Sequence, residues 1–333
     1  MKQSLTLCIA AILFSTTSVN AGTWATLDPS GENVSQIHLT GVSGNNIVGI
    51  YLDDSWVMHR FFYNGAAWGI IEKPEASETV LEAIDETNIV GHYEDTSGSH
   101  GFLYNGTLWT TLDPPGENVS HIHLTGISGN NIVGIYSDDS GMHSFLYNGA
   151  AWDIIEKPEA SETVLEAIDE TNIVGHYEDT SGSHGFLYNG ANWTTLDPPG
   201  ENVFQIHLTG ISGNNIVGIY SDDSGMHSFL YNGETWSTHN KPGASETVLE
   251  AIDENHIVGH YWDASGPHGF LYTFSDGDIN KDGEVNMIDF AILAGQWKGL
   301  PGIFSADIAP AGGDGMIDFK DLSVMITDWL DSI

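Results

Sequence analysis

The chain has 333 residues, with 8 lysines and arginines against 46 aspartates and glutamates, a formal charge of −38 at neutral pH. Such a surface repels nucleic acid and anionic membranes, and it suits divalent cations and neutral or basic partners. Cys8 is the only cysteine, so an intrachain disulfide is excluded and the fold must hold by packing or by metal.

Taken in chain order, residues 1–21 carry Lys2, an apolar run over 5–14 and a small-residue end at Val19, Asn20 and Ala21. This pattern predicts a secretory signal peptide cut before Gly22, and therefore an extracellular or cell-surface protein. The apolar run is too short to cross a bilayer and no later run replaces it, so no membrane span is expected. Cleavage would remove Cys8 and Lys2 and leave a mature chain with no thiol.

Residues 22–274 hold six copies of one unit. Their tryptophans, Trp24, Trp68, Trp109, Trp152, Trp193 and Trp236, are spaced 44, 41, 43, 41 and 43 residues apart. A period near 42 with glycine-rich turns marks an array whose units bury their apolar faces against one another. Odd units read WTTLDPPGENVSHIHLTGISGNNIVGIYSDDSGMHSFLYNG; even units read WDIIEKPEASETVLEAIDETNIVGHYEDTSGSHGFLYNG. In the third unit, turn dipeptides separate runs at 109–112, 121–128, 132–136 and 143–147, whose β-branched and aromatic content predicts strands. Four antiparallel strands of about 42 residues form one propeller blade, so an all-β, six-bladed β-propeller is expected. The chain enters on a tryptophan strand (23–27) and leaves on an aromatic one (268–272). The sixth blade is complete only if those two pair, which closes the ring and removes the free edges. The glycine of each IVG segment, as at Gly134, predicts a close backbone approach or a bulge. The Phe-Leu-Tyr triplets and the tryptophans are expected in the core between blades.

The pattern Asn-x-Ile-Val-Gly-x-Tyr, an acidic Ser-Gly turn, His-Gly-Phe-Leu-Tyr and a later tryptophan resembles the bacterial extracellular HAF repeats. That resemblance implies secretion and a propeller-like fold, and it implies no particular activity.

Within the repeats, Glu82, Glu166 and Glu250 occupy one place in the even units, and Thr40, Thr125 and Thr209 occupy it in the odd units. His38, His123 and His207 fall two residues before those threonines and so share their strand face. This predicts an axial ring of His38, His123, His207, Glu82, Glu166 and Glu250. Three converging imidazoles are a recognised Zn²⁺ ligand set; the alternative is three separate blade-interface residues bonded locally. Departures from the repeat fall at Trp56, Val57 and Arg60, at Phe204, and at His239, His256 and Trp262. Trp56, beside Asp53 and Asp54, has the chemistry to stack on a sugar, although drift in a redundant repeat also accounts for it.

After residue 274 helical periodicity appears. The segment DINKDGEVNMID (278–289) has EF-hand-type loop spacing: Asp278, Asn280 and Asp282 at positions 1, 3 and 5, Gly283 at 6, Glu284 at 7 through its carbonyl, Asn286 at 9 and Asp289 at 12. Hard cations need many oxygens, and Ca²⁺ is the expected ion. A second, irregular loop aligns Asp314, Asp318 and Asp321 with Asp282, Asn286 and Asp289, and its first aspartate, Asp307, falls three residues early. It offers a second, less regular Ca²⁺ site. Helices are predicted over 289–294 and 321–330.

Two such loop-and-helix repeats over 276–331 resemble a type I dockerin, which plugs secreted bacterial proteins into cohesin domains. The resemblance implies that Met287 and Ile288, then Phe319 and Lys320, select the cohesin-like partner. These pairs differ from each other and from the hydroxyl-bearing pairs common in cellulosomal dockerins. The domain organisation expected is therefore a signal peptide (1–21), a propeller (22–274) and a dockerin-like calcium module (275–333).

Three function classes follow, one of them a purely structural cell-surface array. Another is a non-catalytic propeller that binds a protein or glycan and is tethered by its dockerin-like module. The alternative is an extracellular carbohydrate-active hydrolase carried by the same module, acting in polysaccharide degradation. Glycoside hydrolysis needs two carboxylates in different environments, whereas the repeats supply equivalent ones. Arg60 is the only arginine, which disfavours a sialidase.

Overall fold

The computed structural model describes residues 22–29, 34–200, 202–299, 302, 304–310 and 313–331; the predicted signal peptide lies outside the described residues. Six four-stranded antiparallel sheets form six blades: residues 34–70, 78–111, 120–154, 162–195, 204–238, and 246–274 joined by 22–26. Each of the first five blades runs outward from a long inner strand to a three-residue outer strand that begins with the repeat tryptophan, as in Ser120–Ser128, Asn131–Asp138, Gly141–Tyr147 and Trp152–Ile154; in the sixth, Gly22–Thr26 takes that place. The all-β, six-bladed propeller expected from the period is the observed fold.

Alternation on the strands sets where the core lies. On each inner strand a leucine such as Leu124 is fully buried. A register shift follows it in every blade, between Leu39 and Gly41, Leu81 and Ala83, Leu124 and Gly126, and their counterparts. Such a bulge re-aims the extra residue, and that residue is Thr40, Glu82, Thr125, Glu166, Thr209 or Glu250. Each of the six blade interfaces has its own apolar cluster: Val48 of the first blade packs with Leu81, Ile84, Ile89, Tyr93 and Phe102 of the second, and Val258 of the sixth packs with Ile37, Leu39 and Phe61 of the first. The triplet phenylalanines are buried, whereas the tryptophans are only half-buried and tilt over them within one blade, as Trp152 does over Phe145 with ring centroids 4.9 Å apart.

The IVG glycines mark the close approach expected. A Cβ on Gly134 would sit 2.1 Å from the backbone oxygen of His123 on the inner strand. The obstacle is backbone, so it cannot turn aside. Gly134→Ala is expected to destabilise the propeller by about 2–3 kcal/mol, as overpacking does, read as a shift in the urea midpoint at constant slope; an unchanged midpoint would refute the packing argument.

The ring closes as expected. Gly22–Thr26 pairs antiparallel with Gly266–Phe274, Trp24 opposite Tyr272. Asp28 adds a side-chain lock, accepting from the Gly269 backbone N–H at 3.0 Å and contacting His268 Nδ1 at 2.7 Å. His239 stacks on Trp24, 5.1 Å between centroids, and meets Tyr272 edge-on. Burial holds the His239 imidazole down at about 4, against an ordinary 6.5. The unfolded chain therefore takes up this proton below about pH 6.5 while the native ring does so only near pH 4, and stability falls across that window. His239→Phe is expected to remove up to about 3 kcal/mol of the loss between pH 6.5 and 4; parallel pH profiles for the two proteins would contradict it.

A second compact unit comprises residues 276–279 and 284 onward. Its helices α1 (Met287–Gln296) and α2 (Phe319–Asp331) start two residues earlier than expected. For α1 the reason is the cap: Asn286 accepts from the Ile288 N–H, and the Asp289 carboxylate returns to the Asn286 N–H. Ile279, Val285, Leu293, Ala306, Ile317 and Met325 form its core. Among the described residues, no helix is long and apolar enough to cross a membrane.

Candidate functional site

The inner strands bring the predicted axial residues into two kinds of inter-blade tie. Where an odd blade meets the next even one, a threonine reaches across: Thr40, Thr125 and Thr209 donate to the carbonyls of Leu81, Leu165 and Leu249 at 2.7–2.8 Å. Where an even blade meets the next odd one, a glutamate does so. Glu82 Oε1 lies 3.3 Å from His92 Nδ1 of its own blade and 3.6 Å from His123 Nδ1 of the next. Glu166 stands 3.1 Å from His176 and 3.3 Å from His207, and Glu250 stands 3.0 Å from His260 and 3.1 Å from His38.

Of the two readings of His38, His123 and His207, the geometry is that of separate blade-interface residues and not of convergence on one ion. Each belongs to a separate His–Glu–His cluster whose ligand atoms lie within 4.8 Å of one another. The physical reason is the bulge, which turns each glutamate toward the following blade, where it captures that blade's histidine. The predicted ring also lacked His92, His176 and His260. Their signal was in the sequence: even units read Gly-His-Tyr where odd units read Gly-Ile-Tyr.

Burial would raise these carboxyls, but the two imidazoles facing each one outweigh it and hold Glu166 and Glu250 down at about 2. Glu82 is lowered by the same balance. The Glu166 carboxylate in turn pushes His207 up. All three glutamates are thus ionised at neutral pH, in matched surroundings.

Two spaces lie along the axis. A narrow one of about 60 Å³ is lined by Thr40, Thr125 and Thr209 alternating with Ala83, Ala167 and Ala251. It leads to a funnel of about 320 Å³ at the ends of the inner strands, where Ser43, Ser128 and Ser212 alternate with Asp85, Asp169 and Asp253. That volume is at the lower end for a small-ligand pocket. The aspartates are fixed by the next blade, accepting from the backbone N–H of Gly129, Gly213 and Gly44 at 2.6–2.7 Å. In the sixth blade alone His256 enters the funnel, its Nδ1 3.1 Å from Asp253.

The outer turns hold a pattern that the sequence reading missed. Ser97 Oγ is 2.8 Å from His100 Nε2, and His100 Nδ1 is 2.8 Å from Asp113. Ser181, His184 and Asp197 repeat this, as do Ser265, His268 and Asp28, and Ser140, His143 and Glu156. The contacts are those of a nucleophile–base–acid triad. In each copy, however, the serine hydroxyl also donates to the aspartate that opens its own turn, Asp95, Asp179, Asp263 and Asp138, at 2.5–2.6 Å. A nucleophile must direct its proton to the base, and here a closer carboxylate takes it. The D-x-S-G turn followed two residues later by histidine was the available signal; its fourfold recurrence with an acidic third member reads as a turn lock.

The remaining departures have local explanations. Arg60 donates to the Thr79 carbonyl and faces Glu78 at 3.5 Å, at the place where Ser144 and Ser228 donate to Thr163 and Thr247. It is an inter-blade tie. Trp56 is 72% exposed and Phe204 is exposed as well.

In the C-terminal unit, Asp278 and Asp289 are fully buried. Asp289 accepts from the Ile279 and Asn286 N–H groups, which fixes it at the loop's end. Asn280 donates to Asp282 at 2.8 Å, and Asn286 faces Glu284 at 3.5 Å. Buried carboxylates among amide oxygens form a donor set suited to a hard cation. In the second loop Asp321 is likewise buried and accepts from Ile308, Ala309 and Asp318. Asp307 instead bonds the N–H groups of Asp314 and Gly315, and Lys320 pairs with Asp314. An ion there competes with a lysine. Met287, Ile288 and Phe319 are exposed, between 54% and 69%, and Phe319 stands edge-on to Trp297.

No known family model matches this chain, and no curated protein matches it in sequence. Solved structures do match in fold. A mutant form of the Aleuria aurantia lectin, in complex with Fucα1-6GlcNAc, is 13% identical over 74% of this chain and 93% of its own, with a TM-score of 0.44. A putative TolB from Agrobacterium tumefaciens is 11% identical over 74% and 91%, with a TM-score of 0.47. The propeller domain of the Trilobed protease from Pyrococcus furiosus, described as having an open velcro topology, is 8% identical over 73% and 95%, with a TM-score of 0.45. These likenesses go no further than the propeller.

Proposed function

We propose that this is a secreted binding protein: a HAF-like propeller that holds a protein or glycan ligand without catalysing its turnover, carried on a dockerin-like module that docks to a cohesin-like partner when loaded with Ca²⁺. The observation that carries the binding reading is the axial funnel. Its alternating Ser and Asp side chains offer hydroxyl and carboxylate partners suited to sugar hydroxyls or basic groups, and the aspartates are pre-fixed by backbone N–H groups. The glutamates nearer the other ends of the strands are ionised alike, so none is set apart as a proton donor, which is the division glycoside hydrolysis requires.

Asp278, Asn280, Asp282, Asn286 and Asp289, with the Glu284 carbonyl, would hold one calcium ion. Asp307, Asp314, Asp318 and Asp321 would hold a second. The ion supplies positive charge to buried carboxylates and fixes the loops against their helices. Met287, Ile288, Phe319 and Lys320 then lie on the docking face, and the exposed apolar three suit an apolar contact on the partner.

The test is the full-length chain on a glycan array, followed by incubation with each retained glycan. Retention without release of new reducing ends is the expected result. Release would favour the alternative, a carbohydrate-active hydrolase, and the Ser–His–Asp rim or an unmatched carboxylate would then be the place to look.

A further inference from the structure

The three His–Glu–His clusters have the form of metal sites. Two imidazole nitrogens and one carboxylate oxygen face one another across each even-to-odd blade interface, in three copies: His92, Glu82 and His123; His176, Glu166 and His207; His260, Glu250 and His38. A tetrahedral ion with bonds of 2.0–2.2 Å spaces its ligand atoms by about 3.3 Å. The six carboxylate-to-imidazole distances run from 3.0 to 3.6 Å.

A second feature separates a metal site from a set of ion pairs. The Nδ1 atoms of His92, His176 and His260 are buried and make no hydrogen bond. The nearest oxygen lies at only 3.0–3.3 Å, yet it is off the line along which a ring N–H would donate. A buried ring nitrogen left unsatisfied costs about 1–3 kcal/mol, and the same defect occurs three times. A cation between the groups removes it, because each lone pair then points at the ion while the carboxylate occupies the adjacent vertex.

We infer that the propeller binds three divalent transition ions of the Zn²⁺ class, one at each even-to-odd blade interface, through two imidazoles and one carboxylate. Nitrogen-rich sets of this kind favour Zn²⁺ and its neighbours over the oxygen-seeking Ca²⁺ of the C-terminal loops. His38, His123 and His207 keep 38–40% of their side-chain surface exposed, so each site opens to solvent and a water completes the tetrahedron. The three ions alternate with the Thr40, Thr125 and Thr209 ties, which explains why the repeats come in pairs. The His38–Glu250–His260 ion joins the last blade to the first.

The full-length chain, stripped with chelator and then saturated with Ca²⁺ to fill the C-terminal loops, is titrated with Zn²⁺ by calorimetry, and with Co²⁺ while its visible spectrum is followed. Three ions per chain, tetrahedral Co²⁺ bands and a rise in the propeller melting temperature of roughly 5 °C or more are expected. Glu166→Gln alone should reduce the count from three to two and leave the other two sites filled, so the reading does not depend on a variant with all three sites altered. Less than one ion per chain, Co²⁺ bands absent, or an unchanged count in Glu166→Gln would overturn the inference.

Discussion

Removing residues 22–28 is expected to lower the propeller's unfolding free energy by more than any single substitution, and to promote association of the chains. The deletion takes away the whole outer strand of the sixth blade, together with Trp24, whose ring lies 4.9 Å from those of both Phe270 and Tyr272. Trp24→Ala alone should cost about 2–3 kcal/mol, below the range for a fully buried aromatic because the ring is half-buried. The deletion adds a second effect, because Gly266–Phe274 becomes an unpaired edge that recruits other chains. Urea unfolding and size-exclusion chromatography read the two effects separately. An equal midpoint and a monomeric elution profile after the deletion would show that the ring does not depend on its clasp.

The second large effect is on the C-terminal unit. Removing Ca²⁺ is expected to melt α1 and α2 while the propeller keeps its transition. Ligand at about 100 times its dissociation constant adds about 2.7 kcal/mol to a folded state. For a unit whose core is six buried side chains around two short helices, that is a large share of the stability. A bound ion would also add positive charge beside the fully buried Asp278 and Asp289, and chelation would remove it. Scanning calorimetry should show two transitions, of which only the smaller moves with EGTA, and Ca²⁺ but not Zn²⁺ should restore it. Asp289→Ala should act in the same direction and also remove the return bond of the α1 capping box. A single transition indifferent to chelation would contradict the calcium reading of the loops.

The propeller was legible because its information is periodic. Tryptophans about 42 residues apart and alternating strands recur six times and Asn-Gly turns five, so one ambiguous residue cannot spoil the pattern. The closing pair was legible from the offset alone, since a chain that starts on an outer strand and ends on the third must join them. The polar site was half legible. His38, His123, His207 and the three glutamates were picked out, but their convergence on one point assumed that side chains sharing a strand face meet at the axis. The bulge after Leu81 and its equivalents breaks that face, and the partners His92, His176 and His260 sit on the neighbouring strand among residues that read as core. The rim triads were illegible for a similar reason: Ser97 and Asp113 come together only because an outer strand folds back on the third. In the C-terminal unit the loop spacing was plain, and the helix starts were displaced by the Asn286 cap.

One experiment bears on the whole account. A cohesin-bearing surface is loaded with the full-length chain in Ca²⁺ and then offered the glycan retained in the array. The account predicts that the captured chain holds this ligand intact, and that EGTA releases chain and ligand together while the free chain still binds the ligand in EGTA. Cleavage of the ligand, or capture that is indifferent to Ca²⁺, would contradict it.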